Sequence, residues 1–301
     1  MAGTPLVLAV GAVPGEVVAL LAALLSSFGY VAARQGLSDA SPEALVAVTA
    51  AVSVAVLVPY AVATGQTRLT PSMAGVFFLS GLLGTGLGRF LLSNAIDLVG
   101  AGIAHAVKSA SPVVAVVFAV AFLGETLTTP LAIGIVLVVA GLIVLTRSSK
   151  EANESVDPRT AVLVSVVIVV WFGATPVIRK FGLSELGAPL VPALALNFAV
   201  GLAVGVAISL YRDAGQLRAV LSGDSRWYLL ATGLCWTASI STYFLALSLA
   251  DAVVVVPIFN SSPLFTVALG LLLFEGTESP TRATIAGAVV TVCGVVLITV
   301  G

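Results

Sequence analysis

Ten apolar runs, each long enough to cross a bilayer, constrain this 301-residue chain more than any other feature. A helix needs roughly 17–25 residues to span the hydrocarbon. The runs fall at 13–33, 43–63, 72–96, 99–122, 130–146, 160–178, 188–210, 226–249, 251–274 and 282–300. Turn residues and charges separate them, as at Gly36–Pro42, Thr64–Pro71, Glu125–Pro130, Arg147–Pro158 and Arg212–Arg226. The two shortest breaks rest on Asp97–Gly100 and on Asp251. Only 9% of the residues are charged, against about a quarter in a soluble domain. In lipid such a composition is required, because helices bond their own backbone and present apolar side chains outward.

Several classes are excluded. The net charge is −1 and the 13 Lys and Arg residues form no basic stripe, so no nucleic-acid surface is expected. Cys235 and Cys293 lie in apolar runs and read as packing residues. With no C-x-x-C and a single histidine, no metal is expected. No basic n-region precedes the first run, so it reads as a retained membrane helix rather than a signal peptide.

The runs repeat. FGYVAARQGL from Phe28 is similar to FGATPVIRKFGL from Phe172. SPVVAVVFAVAFLGE, Ser111 to Glu125, is similar to SPLFTVALGLLLFE, Ser262 to Glu275. Gly134 and Gly141 of one run match Gly287 and Gly294 of another. The order is the same in both halves, which marks a duplication. Five crossings per half is odd, so the second half enters from the opposite side. The expected fold is an all-α integral membrane protein of ten transmembrane helices as two inverted five-helix repeats, 1–147 and 160–301, joined by a linker at 148–159.

These motifs resemble the EamA-type branch of the drug/metabolite transporter superfamily, over nearly the whole chain. The signature is a small residue and Pro, then an apolar stretch ending in Leu-Gly-Glu: Ser111, Pro112, Leu123, Gly124 and Glu125. The second copy departs from it, with Phe274 in place of the glycine before Glu275. The resemblance implies a central cavity lined mainly by helices 1, 3, 4, 6, 8 and 9. It also implies ATP-independent transport across the cytoplasmic membrane, with no cofactor and no catalytic residue. The absence of a G-x-x-x-x-G-K-[ST] loop agrees. The expected activity is export of a small organic metabolite, such as an amino acid or another carboxylate-bearing compound, and a monomer suffices for it. A membrane enzyme would call for H-E-x-x-H, an intramembrane Asp pair or Ser-x-x-Lys, and none is present. A partner-binding scaffold would call for long soluble loops, and the chain has almost none.

Two cations stand out. At about 1.5 Å per residue, Arg89 lies roughly 10 Å and Lys108 roughly 13 Å in from the same turn, on adjacent helices. A charge at that depth costs on the order of 2.5–3.5 kcal/mol on insertion scales. The pair is read as facing the cavity and attracting a carboxylate or phosphate; the competing reading has Arg89 snorkelling toward Asp97. His105 shares a helix face with Lys108 and is a weaker candidate, as a proton shuttle without a deep carboxylate partner. Ser109, Trp171, Asn197, Trp236, Tyr243 and Asn260 are further candidates for substrate contact, with interhelical bonding or interfacial anchoring as the plainer reading. Pro112 and Pro263 are read as mid-helix kinks or hinges, with Pro176 and Pro257 as weaker analogues. The Gly81–Gly88 stretch mimics a phosphate loop but sits within an apolar helix, and reads as close helix packing.

The basic residues address orientation. Apart from Arg89 and Lys108, eight fall opposite the chain ends: Arg34, Arg147, Lys150, Arg159, Arg212, Arg218, Arg226 and Arg282. Three fall on the side of the ends: Arg68, Arg179 and Lys180. This count favours ends outside, whereas the resemblance implies ends in the cytoplasm. The two expectations point to opposite orientations.

Overall fold

The computed structural model describes residues 13–36, 42–99, 104, 107–147, 158–222, 226–273 and 281–300. Its α-helices are α1 Gly15–Gly36, α2 Pro42–Ala63, α3 Pro71–Ser80, α4 Gly88–Val99, α5 Ser111–Phe118 and α6 Thr129–Arg147, followed by α7 Pro158–Lys180, α8 Leu190–Ser222, α9 Arg226–Leu249, α10 Ala252–Asn260, α11 Ser262–Leu273 and α12 Arg282–Val300. Three π-helical turns extend them, at Gly81–Leu87, Ala119–Leu123 and Phe181–Glu185. No strand occurs among the described residues. The expected linker at 148–159 lies mostly outside them.

Seven helical stretches are long and apolar enough to cross a membrane, and three shorter apolar ones accompany them, at Ser111–Leu123, Thr129–Leu145 and Ile285–Val300. Three expectations need correction. The run expected as one helix over 251–274 is interrupted at Ser261, between α10 and α11. The run expected as one helix over 99–122 is interrupted, with a turn at Ser109–Ala110 and a fresh start at Ser111. The break expected at Arg212–Arg226 is instead helical as far as Ser222.

The two halves interlock. α1 packs on α9, α2 on α8, α5 on α7 and α6 on α12, so each of these contacts joins one half to the other. Without a hydrophobic force between helices in lipid, close approach depends on small residues. The α6–α12 crossing shows this. A Cβ on Gly141 would lie 2.7 Å from the Gly287 carbonyl oxygen, and one on Gly294 would lie 2.7 Å from the Gly134 carbonyl oxygen. The four glycines paired by sequence thus meet in space. Polar bonds fix a second crossing. Buried Asn197 on α8 accepts from the Thr85 hydroxyl at 2.7 Å and donates to the Ser80 hydroxyl at 2.6 Å. The Trp171 indole donates to the Leu83 carbonyl of the π-helical turn at 2.5 Å.

Gly141→Leu is expected to destabilise the bundle by about 1–3 kcal/mol or more through overpacking. Thermal unfolding in detergent reads this, with Val136→Leu on the exposed face of α6 staying near wild type. Asn197→Leu is expected to cost about 1 kcal/mol, because two buried hydroxyls lose their partner. A wild-type melting temperature in that variant would contradict the assigned role.

Candidate functional site

One end of the bundle, here the near end, gathers Gly15, Glu125, Lys180 and the turn between α9 and α10. A Cβ on Gly15 would meet Ala250. Lys180 donates to the Ala250 carbonyl at 2.9 Å, and Glu125 accepts from the amides of Ala252 and Val253. Behind these contacts the largest apolar cluster fills the interior, with Val18, Leu57, Phe77, Leu183, Leu247 and Val253 among its members.

Above that plug lies a cavity of about 360 Å³. Its walls include Arg179 on α7, Phe198 on α8 and Tyr243 on α9 toward the near end, and reach through the middle of the bundle to Tyr30 on α1, Leu45 on α2 and Phe90 on α4 in the halves away from it. No residue of the α9–α10 turn lines it. The volume is within the usual range for small-molecule sites.

Two broken helices meet at this cavity. After Val107 and Lys108 the chain turns at Ser109–Ala110, and α5 begins with Ser111 and Pro112. In the second half α10 ends at Asn260, Ser261 makes the turn, and α11 begins with Ser262 and Pro263. Both prolines therefore occupy first turns rather than mid-helix kinks. There the missing N–H would have had no helical partner. The loose ends are satisfied by side chains, as membrane burial requires. The Ser261 hydroxyl donates to the Ile258 carbonyl at 2.6 Å, and the Ser27 hydroxyl on α1 donates to the Ser262 carbonyl at 2.8 Å. Pro176 and Pro257 do lie inside helices, in α7 and α10, and Pro176 lines the cavity.

Of the residues singled out in the sequence, Lys108, Trp236, Tyr243 and Asn260 line the cavity. Lys108 Nζ sits 5.1 Å from the Phe172 ring centroid. Tyr243 stacks on Phe259 at 4.0 Å, and Tyr30 meets the Trp236 ring edge-on at 5.6 Å. Gly29 leaves the room that the Trp236 indole fills. Asn197 is not a lining residue; it is fully buried in the α8 crossing. Trp171 backs the wall through its bond to Leu83, and Ser109 sits in the turn beside Lys108 without lining the cavity. The Arg89 backbone falls in α4 next to the lining residue Phe90, while its side chain lies outside the described residues. His105 also lies outside them.

The cation that the sequence reading missed is Arg179. It was counted with the surface charges, yet it is 7% exposed and lines the cavity, its guanidinium 5.0 Å from the Phe244 ring. Gly84 in the π-helical turn leaves space for it. The signal was present, because Phe172, Thr175, Pro176 and Arg179 share one helical face and all line the cavity. Lys180 is also interior, at 9% exposure. Both therefore leave the surface count, and Arg68 alone remains of the three on the side of the chain ends.

The electrostatics follow from this set. Among the described residues, Lys108 and Arg179 line the cavity and no Asp or Glu does. Ser111, at the N-terminal end of α5, also lines it, and a helix N-terminus adds partial positive charge. Aromatic faces give each cation some support, worth about 0.5–2 kcal/mol per contact. The arrangement suits a solute with an anionic group and an apolar body.

A solved crystal structure of a protein, 19% identical, covers 95% of this chain and 96% of its own, with a TM-score of 0.79. At that identity the likeness shows the fold. No curated protein matches the sequence. The model of the EamA-like transporter family matches twice, over residues 13–147 and 159–300. The two matches divide the chain where the internal repeat does, and the chain is a multi-pass membrane protein belonging to the EamA-like transporter family.

Proposed function

We propose that this protein is a secondary transporter that carries small organic anions, such as carboxylate-bearing metabolites, across the cytoplasmic membrane without ATP. The observation that carries the reading is a cavity lined by Lys108 and Arg179 with no acidic residue among its described walls. Intramembrane charges are costly and mark solute pathways. Discontinuous helices meeting near the middle of the bundle are a recurring site architecture in such transporters.

In this reading the ten apolar segments all cross the membrane, as two inverted five-helix repeats in one monomeric chain. The pairing of α6 with α12 and of α2 with α8 supports it, since each pair joins equivalent positions of the two halves. The cavity reaches away from the plugged near end, so alternating access would open that plug while the opposite mouth closes. Export is the direction implied by the resemblance to other members of the family.

The test is flux into proteoliposomes from a panel of labelled acidic, zwitterionic and cationic metabolites. An acidic solute is expected to be transported, and Lys108→Ala or Arg179→Ala to reduce its uptake about tenfold or more, as for a lost hydrogen bond to a charged group. Normal uptake of the acid in both variants would overturn the assigned site. Transport confined to cations would overturn the substrate class.

A further inference from the structure

The near end carries a carboxylate with no part in the cavity. Gly124 adopts φ +67°, a left-handed conformation suited to glycine, and ends the π-helical turn Ala119–Leu123. That turn of the chain delivers Glu125 to the other half of the protein. Its two carboxylate oxygens, Oε1 and Oε2, accept from the Ala252 and Val253 amides, each at 2.8 Å. These are orphan donors at the start of α10, where a negative group is favoured. Asp251 occupies the N-cap position but makes no side-chain cap bond there. From the other side Lys180 bonds the Ala250 carbonyl next to the end of α9, where a cation is favoured. One turn is thus clamped from both sides by side chains of α7 and of the chain following α5.

We propose that Glu125 is the latch holding the near end of the pathway shut, and that proton occupancy of its carboxyl sets how firmly it holds. The turn it grips separates the plug residues Leu247 and Val253, so freeing it would free both α9 and α10 to move. α10 ends in Phe259 and Asn260, which line the cavity. A shift at its start would therefore be felt at the site.

Among the described residues, the groups facing Glu125 are Asp251 and Lys180, with the two amides. Burial pushes its carboxyl above the usual range; the amides pull it down, Asp251 pushes it up and Lys180 pulls it down, leaving a net rise. The sign follows by linkage. A group that binds its proton more tightly in the shut end than in water stabilises the shut end when protonated. That stabilisation is complete below the ordinary carboxylate range and is lost as pH rises through the raised value. Opening the near end would release the proton on that side.

Cysteine accessibility in nanodiscs, where reagent reaches both faces, tests this without any transport measurement. Ala246→Cys, buried between Tyr243 and the turn, reports the plug, and Ile208→Cys reports the cavity, each without Cys235 and Cys293. With an impermeant maleimide, Ala246→Cys is expected to label slowly. Adding Glu125→Ala leaves the Ala252 and Val253 amides without their acceptor and is expected to speed it about tenfold or more, while Ile208→Cys labelling falls. Glu125→Gln keeps an acceptor and is expected to stay slow. Plug labelling with Glu125 intact, corrected for thiol ionisation with a free-thiol standard, is expected to rise with pH, and the Gln variant to be flat. Should Glu125→Ala fail to fold, Glu125→Asp retains the charge without the reach and is expected to label faster. Unchanged plug labelling in both Ala and Asp variants overturns the latch. So does faster labelling at both reporter positions, which marks general loosening, or an equal pH response in the Gln variant.

Discussion

Inside a bilayer every backbone donor and acceptor must find a partner within the protein, because no water is there to supply one. An unbroken helix meets this automatically. This bundle breaks its helices at the places that matter and then repairs the breaks with side chains. Ser261 takes the Ile258 carbonyl, Trp171 the Leu83 carbonyl, Glu125 the first amides of α10, and Lys180 the Ala250 carbonyl. Two of these four repairs, by Trp171 and by Glu125, come from the opposite half of the chain. At Leu83 and at the start of α10 the irregular backbone therefore also ties one half to the other, and moving the halves apart there would expose the groups that Trp171 and Glu125 cover.

The packing divides labour along the same lines. At the α6–α12 crossing, glycines bring the backbones too close for any side chain between them. That contact reads as a fixed axis. At the centre, larger residues leave an unfilled volume, and its walls combine two cations with stacked aromatic rings. At the near end an apolar plug is held by only a few polar contacts at one turn. A close glycine contact, an open centre and an end tied at one turn are the parts that the proposed alternating-access cycle would use.

Much of this was legible in the sequence, for physical reasons. Spanning length and turn chemistry found the seven helical stretches long enough to span and the three shorter apolar ones, and the Ser-Pro and paired-glycine motifs found the duplication. Lys108, Trp236, Tyr243 and Asn260 were found because polar or aromatic residues are conspicuous in apolar runs. What sequence could not resolve was where a helix stops inside such a run. Pro112 is compatible with either a kink or a first turn, and only the backbone decides which. Arg179 was misplaced because it lies near the end of its apolar run, where a cation ordinarily reaches water; the π-helical turn beyond it keeps the chain inside the bundle. Asn197 is the reverse case, a polar residue deep in a helix whose partners, Ser80 and Thr85, lie on another helix far away in sequence.

The central claim is that the cavity between the halves receives an anionic solute. Trp236 lines it, so its fluorescence, isolated by Trp171→Phe and Trp227→Phe, reports occupancy directly. Titration with a small carboxylic acid and with its neutral amide separates charge from shape. A saturable change with the carboxylate, lost in Lys108→Ala or Arg179→Ala and weak with the amide, is the predicted result. Equal response to acid and amide, or no saturable response to any carboxylate, would contradict it.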